Sequence, residues 1–450
     1  MIVEHAEINV TPGREDEFVA AFPQARAVLS QADGFRWAEL HRGVERTSTF
    51  LLLVGWDTLA AHVDGFRSSD LFVQWRAIIG RVLARQTVAL FFGGVSSEHS
   101  ISCLTAGSVA RAIDADRFDV VGVGITRDGC WIRIDSEELA AYEVVDGHLP
   151  EVAPDRPAAV LVPAPGGAAI ATLVAGRLAD VVPFDVAFAL LHGPFGEDGT
   201  IQGLFEMHGV HYVGAGVAAS AIGMDKDLMK RAMAAAGLPV GPWVTITPAR
   251  WRGDRDGALR EVGRLSYPQF VKPARGGSSL GIVKVDAPDG LLAAIEQARR
   301  FDPKVIVEQG FTGVREIEVA VLEDLSGPPR TSFPGEVLMH DPDAYYDFEA
   351  KYLPEEQVTL EVPARLDDTA LAAIQELAGR TFSAMAVEGL ARVDLFLDAD
   401  DKPWVNELNT MPGFTRLSMF PMMWAASGLD YTALISTLID LAARRPLGLR

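Results

Sequence analysis

Hydrophobic and polar positions in the first 86 residues follow the periods of strands and amphipathic helices in turn. The segment EHAEINV alternates between apolar and polar residues, as a half-buried strand does. FRWAELHR and STFLLLVGW are two further predicted strands. One predicted helix lies in TPGREDEFVAAFPQARAVLSQ, before this strand pair, and another follows the pair and runs through Gly80. The resulting β-α-β-β-α order predicts a small α+β sandwich.

A buried-type strand ending in two glycines, QTVALFFGG at 86–94, opens a second region. Helical ISCLTAGSVARAI comes next, and VVGVGIT and VAFALLHG are further predicted strands. This alternation favours a parallel, doubly wound sheet, interrupted by a polar excursion with a Pro/Gly/Ala-rich stretch near 153–168. From about residue 215 the pattern mixes helices with hairpins, so the 450 residues are predicted to form several domains.

Composition excludes several classes of partner. The 61 acidic residues outnumber the 40 basic ones, and the formal charge of -21 repels nucleic acid and anionic membrane surfaces. A local cluster of Lys and Arg can still bind a small anion, because net charge is screened beyond a Debye length. Cys103 and Cys130 are too few for a disulfide framework, and the sequence has neither a signal peptide pattern nor an apolar membrane span. We therefore expect a cytoplasmic protein.

Charged residues interrupt the apolar pattern in ARVDLFLDADDKPWVNELNT, residues 391–410. A hairpin centred between Asp400 and Asp401 places residue 394 opposite 407 and residue 392 opposite 409. Arg392, Asp394, Glu407 and Asn409 would then share one face of the hairpin. Two carboxylates this close repel each other, and a divalent cation compensates them. Carboxylate and amide oxygens favour magnesium or manganese over zinc. The alternative is a structural Arg–Asp pair in a half-buried hairpin.

Two other segments predict a nucleotide site. In SYPQFVKPARGGSSLGIVKV, residues 266–285, a glycine-rich tip exposes backbone N–H groups to phosphate, and Lys272 precedes the tip in a strand. In VIVEQGFTGVREIEVAVL, residues 305–322, Glu316 is a candidate acceptor for ribose hydroxyls. The alternatives are an ordinary turn and an exposed strand glutamate. Neither a G-x-x-x-x-G-K-[ST] loop nor a G-x-G-x-x-G fingerprint at a strand-to-helix turn is present, so P-loop and dinucleotide folds are disfavoured.

The N-terminal region resembles the antibiotic-biosynthesis monooxygenase-like, dimeric α/β-barrel family. PGREDEFVAAF, the Gly34–Phe35 pair and FRSSDLFVQWRAIIG carry this likeness. It implies a ferredoxin-like accessory domain at residues 1–86, with a role in dimerisation. His62 is either a haem or substrate contact or a histidine on a helix surface, and the second interpretation is favoured. An oxidoreductase with its chemistry in residues 1–86 remains an alternative.

Seven ordered blocks between residues 87 and 450 carry a second resemblance: LFFGGVSSEHSIS, FALLHGPFGEDGTIQG, YVGAGVAASAIGMDKDLMK, FVKPARGGSSLGIVKV, YYDFEAKYL, ARVDLFLD and VNELNTMPGFT. The region is similar to the D-alanine:D-alanine ligase family of ATP-grasp enzymes. The implied architecture is an α/β and α+β multidomain protein, in which an ATP-grasp core follows the N-terminal domain. Its expected domains are a doubly wound α/β substrate domain at 87–214, the central ATP-grasp subdomain at 215–308, and the C-terminal ATP-grasp subdomain, with the metal site and lid, at 309–450.

The resemblance also implies roles for individual residues. Glu98 would bind the ammonium of the first D-alanine, with His192 beside the same substrate, although Glu98 also complements a helix dipole. Contacts to ATP phosphates are implied for Lys226, Lys272 and Lys351, and Ser278 and Ser279 lie in the loop over them. Glu308, Gln309 and Phe311 would line the adenine, and Glu316 the ribose.

For the reacting centre, the resemblance implies an oxyanion hole made by Arg392 and the backbone N–H of Gly413. Two magnesium ions, with manganese possible, would be held by Asp394, Glu407 and Asn409. Ser418 would place the carboxylate of the second substrate. Tyr352, in a lid at 345–353, would hydrogen-bond toward Ser278 and Glu98, and its presence favours an amine as the nucleophile.

The implied function is ATP-dependent joining of two D-alanines through an acyl phosphate, for peptidoglycan precursor synthesis, in a homodimer. Two alternatives share the fold: a ligase for another D-amino or hydroxy acid in a specialised or self-resistance pathway, and a non-catalytic nucleotide-binding regulator.

Overall fold

The structure is a computed structural model that describes residues 1–11, 13–67, 69–80, 84–164, 167–277, 280–340 and 358–448. Residue contacts divide the chain into two units. The first is Met1–Thr87 with Asp114–Asp119, and the second is Val88–Ile113 with Val120–Arg450. Within the described ranges, no helix is long and apolar enough to cross a membrane.

The first unit contains the predicted β-α-β-β-α order. Its elements are β1 (Ile2–Asn9), α1 (Glu15–Leu29), β2 (Phe35–Arg42), β3 (Thr49–Trp56), a short π-helix (Ala61–Phe66) and α2 (Asp70–Ile79). The antiparallel sheet has the order β1-β3-β2. Alternate β3 residues Phe50, Leu52 and Val54 pack into a core with Phe18 of α1 and Ile79 of α2. The helices therefore lie on one face of the sheet.

His62 is not on a helix surface, so the favoured interpretation of this residue was wrong. Only 9% of its surface is exposed, and its ring stacks on Trp56 with 5.4 Å between centroids. The Nε2 atom lies 3.1 Å from a carboxylate oxygen of Glu4, and the Trp56 indole N–H donates to the other oxygen at 3.1 Å. Burial lowers the pKa of His62, against the opposing effect of Glu4.

The second unit begins with a mixed region of eight strands and three helices. These are β4 (Gln86–Gly93), α3 (His99–Ala112), β5 (Phe118–Ile125), β6 (Trp131–Ile134), α4 (Ser136–Ala140), β7 (Ala159–Ala164), β8 (Gly167–Val174), β9 (Arg177–Phe184), β10 (Val186–Ala189), α5 (Thr200–Met207) and β11 (His211–Val213). One sheet has the order β11-β10-β4-β5-β6, and β10 is parallel to both β4 and β11.

The wholly parallel sheet predicted for this region is wrong in two places. Strand β6 returns as an antiparallel hairpin on β5. The excursion near 153–168 is not only a loop, because β7, β8 and β9 form a separate antiparallel sheet there. Prolines and short apolar runs concealed these strands, since Pro163 lies within β7 and Pro183 within β9.

A four-stranded antiparallel sheet follows. Its strands and the neighbouring helices are α6 (Val217–Met224), α7 (Lys226–Ala235), β12 (Trp243–Ile246), α8 (Pro248–Gly253), α9 (Arg255–Val262), β13 (Gln269–Pro273), β14 (Val283–Val285), α10 (Pro288–Ala298) and β15 (Val305–Gln309). The strand order is β12-β15-β13-β14. Val271 of β13 points into the core, so its neighbour Lys272 points to the opposite face. Asp225 caps α7 by accepting the N–H groups of Asp227 and Leu228.

The C-terminal part contains the largest sheet. Its elements are β16 (Arg315–Leu322), β17 (Arg330–Thr331), β18 (Gly335–Met339), β19 (Val358–Glu361), α11 (Asp368–Ala384), β20 (Leu390–Leu397), β21 (Pro403–Asn409), α12 (Met419–Ala426) and α13 (Tyr431–Arg444). The order is β19-β18-β16-β20-β21, with β17 paired to β16. Val319, Val393 and Leu395 pack with Ile374 and Leu377 of α11 on one face, which leaves the opposite face for polar residues.

The predicted register of the final hairpin is confirmed where it matters for the site. Arg392 pairs with Asn409 and Asp394 with Glu407. Nearer the turn the register shifts by one, because Leu395 pairs with Val405 and Asn406 is left as the extra residue of a bulge.

Candidate active site

The polar face of the largest sheet is centred on a buried guanidinium group. Arg392 donates from Nε to one oxygen of Asp394 at 2.6 Å and from Nη2 to the other at 2.7 Å. Glu318, opposite Asp394 on β16, approaches the same Nε at 3.1 Å. Burial disfavours the charge of Arg392, but these carboxylates outweigh burial and hold its pKa well above the usual value. The Arg–Asp pair considered as a structural alternative is therefore present in the structure.

The remaining hairpin residues complete an acidic and amide cluster. The Asn409 side chain donates its N–H to Asp394 at 2.9 Å. Glu407 pairs with the ammonium of Lys226 at 3.2 Å, and Lys226 also donates to the carbonyl of Gly276 at 3.2 Å. Burial opposes the Lys226 charge, but Glu407 raises the pKa of Lys226 overall. Asp394 and Glu407 therefore each have a cationic partner.

Glu308, on β15 of the four-stranded sheet, lies between Lys272 of β13 and Lys230 of α7. Its carboxylate is 2.5 Å from Lys272 and 2.9 Å from Lys230, and 7% of the residue is exposed. Burial alone would raise the pKa of Glu308, but the two ammonium groups lower it to about 2. Sequence reasoning missed Lys230. The signal was its spacing, since residues 226 and 230 are four apart and share one face of α7.

A cavity of about 180 Å³ connects these groups with an aromatic wall. Its charged part is lined by Lys230, Lys272, Glu308, Glu316, Glu318, Arg392, Asp394 and Glu407. Its apolar part includes Phe270, Phe311 and Phe396. The ring of Phe311 also packs against that of Trp404, with 5.4 Å between the ring centroids. Gln309 and Gly310 line the same wall. An apolar slot beside Lys230 and Lys272 suits the shape of a nucleotide, and the five carboxylates against three cationic side chains leave a negative lining that a bound cation would offset.

A second, smaller cavity adjoins the first at Glu407. It is lined by Glu197, Lys226, Gly276, Gly277, Glu407 and Asn409, among others. The structure therefore brings the predicted phosphate and metal residues together around two cavities that share a wall. Ser278, Ser279, Lys351 and Tyr352 lie outside the described residues.

Glu98 lies beside Gly277, which lines the smaller cavity. Glu98 is 7% exposed and stands at the N-cap of α3, as the helix-dipole interpretation requires. A Cβ atom on Gly193 or Gly277 would lie 2.8 or 2.9 Å from its Oε2 atom. A side chain at either position would therefore displace the Glu98 carboxylate, and the φ of +75° at Gly193 also favours glycine there.

His192 is buried, and both of its ring nitrogens have hydrogen-bonding partners. Nδ1 donates to the carbonyl of Met411 at 3.2 Å, and the Thr105 hydroxyl lies 3.3 Å from Nε2. Burial lowers the pKa of His192, against the opposing charge of Glu98. A neutral ring with its proton on Nδ1 satisfies both contacts. The predicted contact between His192 and a substrate stays a prediction.

Gly413 and Ser418 lie close to each other in the segment after β21. A Cβ atom on Gly413 would lie 3.2 Å from the Ser418 hydroxyl oxygen. That oxygen accepts the N–H of Thr415 at 3.1 Å, at the start of α12. The structure therefore brings the predicted oxyanion donor next to the residue predicted to place the second substrate.

Comparison with known proteins identifies the family. Residues 87–215 and 232–440 match the family models described as D-ala D-ala ligase N-terminus and C-terminus. A D-alanine–D-alanine ligase of Kineococcus radiotolerans is 52% identical over 380 residues, which cover 81% of this chain and 98% of that relative. The chain belongs to the D-alanine–D-alanine ligase family.

Further relatives of this ligase agree. The D-alanine–D-alanine ligase of Arthrobacter sp. is 49% identical and covers 82% of this chain and 96% of its own length. Solved structures of the VanG D-Ala:D-Ser ligase of Enterococcus faecalis and of the D-alanine–D-alanine ligase of Coxiella burnetii are each 32% identical. They have TM-scores of 0.67 and 0.66, and each covers 80% of this chain. They extend over 100% and 94% of their own chains.

Residues 1–78 of the ligase match the antibiotic biosynthesis monooxygenase family. Together the comparisons confirm both resemblances, the fold class and the assignment as an ATP-dependent ligase of the D-alanine type. Membership of this family implies synthesis of a peptidoglycan precursor.

The family uses ATP and a divalent metal, and the hairpin residues fit such an ion. Asp394, Glu407 and Asn409 supply hard oxygen donors at the shared wall of the two cavities. Across the described residues, no group of three or more His, Cys, Asp or Glu is arranged to hold a metal. Asn409 as a third oxygen donor beside Asp394 and Glu407 stays a prediction.

A second residue that sequence reasoning missed is Glu197, in the loop after His192. Its carboxylate accepts the N–H of Gly193 at 2.9 Å and that of Met411 at 3.3 Å. Loss of hydration and the nearby charge of Glu98 raise the pKa of Glu197 to about 8. Glycines and acidic residues surround it in GPFGEDG, and nothing in that pattern marks position 197 above Asp198.

Proposed function

We propose that this ligase joins two D-alanines and converts ATP to ADP and phosphate, and that it acts in the cytoplasm. The observation that carries the proposal is the facing set on β20 and β21, where Arg392, Asp394 and Glu407 adjoin the lysine-rich cavity. Expected domains at 1–86, 87–214, 215–308 and 309–450 belong to the same proposal.

In the first step, a carboxylate oxygen of the first D-alanine attacks the γ-phosphorus of ATP, and ADP leaves. Lys226 and Lys272 contact the phosphates, and Glu98 binds the substrate ammonium. Both lysines are already fixed by carboxylates, so they need little reorganisation when the nucleotide binds. Two magnesium ions, held by Asp394, Glu407 and Asn409, would neutralise phosphate charge.

In the second step, the amine of the second D-alanine attacks the carbonyl carbon of the acyl phosphate. The tetrahedral oxyanion is stabilised by Arg392 and the N–H of Gly413, and Ser418 places the second carboxylate. The C–O bond then breaks, so inorganic phosphate leaves with an oxygen that came from D-alanine. Tyr352 and Lys351 serve the lid that excludes water from the acyl phosphate.

The test is mass spectrometry of products formed from ATP and Mg²⁺ with D-alanine alone and with D-alanine plus D-serine or D-lactate. D-alanyl-D-alanine as the main product in every mixture supports the proposal. A mixed dipeptide or a depsipeptide as the main product contradicts the assignment of the second substrate. Nucleotide binding without turnover on any of these acids contradicts catalysis.

We also propose that the protein is a homodimer, assembled through the first unit. The face of its sheet opposite the helices carries Trp37, Leu51 and Leu53, which lie outside the core formed with the described parts of α1 and α2. Analytical ultracentrifugation should show a dimer that L53E converts to a monomer. V44E is the matched control, because Val44 is 93% exposed in the loop between β2 and β3. A wild-type monomer, or a dimer that survives L53E, contradicts this assembly.

A further inference from the structure

The loop that follows His192 is tied to the segment that carries the predicted oxyanion donor. Glu197 accepts the Met411 N–H, and His192 donates to the Met411 carbonyl. The backbone N–H and the backbone carbonyl of Met411 are therefore both hydrogen-bonded to side chains of one loop, those of Glu197 and His192. Met411 lies two residues after Asn409 and two before Gly413.

The same loop is tied to the substrate side. The second oxygen of Glu197 accepts the N–H of Gly193, whose α-carbon faces the carboxylate of Glu98. The His192 carbonyl accepts the hydroxyl of Ser96, and that hydroxyl also accepts the Glu98 N–H at 3.1 Å. Through these bonds one loop contacts both the turn before α3 and the segment after β21.

We propose that Glu197 is a positioning residue that sets the distance between Glu98 and the Gly413 N–H. This inference rests on the proposed function, in which Glu98 binds the first D-alanine and Gly413 stabilises the oxyanion. Glu197 touches neither reacting atom in this scheme. A carboxyl group suits the role because each of its two oxygens accepts one of these N–H groups, whereas an amide offers a single acceptor oxygen.

A loss of this link should affect the chemical step more than nucleotide binding. The cavity with the aromatic wall is lined mainly by residues of β13, β15, β16, β20 and β21, and Glu197 lines only the smaller adjoining cavity, beside Lys226 and Glu407. Displacement of an oxyanion donor by about 1 Å is enough to lower a rate roughly 100-fold. We expect Glu197→Ala to lower kcat roughly 10- to 100-fold while KM for ATP changes less than about 2-fold.

Asp198 is the matched control because its carboxylate also accepts two backbone N–H groups but makes no hydrogen bond to Met411. Its carboxylate accepts the N–H groups of Phe195, in its own loop, and of Thr200, at the start of α5, and neither bond reaches the segment after β21. Asp198→Asn should therefore keep kcat within about 2-fold of wild type. Glu197→Gln should fall between wild type and Glu197→Ala, because one of the two bonds can re-form.

The experiment measures D-alanine-dependent phosphate release by the full chain and hydrogen exchange in peptides that contain residues 409–413. Glu197→Ala should speed exchange there, and Asp198→Asn should not. Equal kcat losses in the two variants, or unchanged exchange at 409–413 in Glu197→Ala, would overturn the proposal. If wild type releases no phosphate with D-alanine, the proposed function fails instead, and the exchange result still reports whether the link exists.

Discussion

The buried pairing of Glu308 with two lysines gives the most quantitative prediction. Glu308→Gln keeps the size of the side chain but removes the charge that neutralises Lys230 and Lys272. The ordinary pKa of 4.5 falls to about 2 in the folded protein. At about 1.4 kcal/mol per pKa unit, this difference corresponds to about 3 kcal/mol of stabilisation of the folded state.

The sign of the pH dependence follows from the direction of that change. Because the folded pKa lies below the unfolded one, the stabilisation is complete above about pH 4.5 and is lost as pH falls toward about 2. At neutral pH, Glu308→Gln should therefore lose roughly the full 3 kcal/mol of free energy of unfolding. Breaking a buried ion pair from one side typically costs about 3 to 5 kcal/mol, which agrees with this magnitude.

Urea denaturation at neutral pH, followed by tryptophan fluorescence, measures the loss, and hydrogen exchange in β13 and β15 locates it. Glu296→Gln is the control. Glu296 pairs with Arg255 at 3.2 Å, but 48% of its side chain is exposed, so we expect less than about 1 kcal/mol. A Glu308→Gln protein within about 0.5 kcal/mol of wild type would refute the reasoning.

Three further predictions concern catalysis, metal and thiol chemistry. Arg392→Lys loses the two-pronged contact with Asp394 and should lower kcat roughly 10²- to 10³-fold in an ADP-release assay; an unchanged kcat would remove Arg392 from the oxyanion hole. Asp394→Asn should need a higher Mg²⁺ concentration for half-maximal ADP release, and an identical Mg²⁺ titration would contradict its role as a ligand. A thiol reagent at about pH 8 should label exposed Cys130 alone, since burial raises the pKa of Cys103 to about 12; two rapid adducts by mass spectrometry would contradict that burial.

The sequence was sufficient for those parts of the site that depend on strand alternation. The pairing of 392 with 409 and of 394 with 407 follows from a period of two and a short turn, and both pairs are present. The bulge at Asn406 could not be foreseen, because a one-residue shift leaves the apolar pattern of the strand unchanged.

Contacts between distant segments were beyond pattern reasoning. The bond from Glu197 to Met411 spans 214 positions, and no local period encodes it. The burial of His62 was missed for the same reason, since its partner Glu4 is distant in sequence, on β1, although the two side chains are in contact in the structure. Strands β7 to β9 were missed because prolines and small residues weaken the strand signal.

The central claim is that this ligase activates a D-alanine carboxylate by phosphorylation at the site formed by β20 and β21. The most direct test supplies D-alanine labelled with ¹⁸O in its carboxylate, together with unlabelled ATP and Mg²⁺, and measures isotopes in both products by mass spectrometry. The mechanism predicts one ¹⁸O atom in each inorganic phosphate released with D-alanyl-D-alanine. Phosphate without ¹⁸O, formed together with the dipeptide, would contradict the acyl-phosphate route.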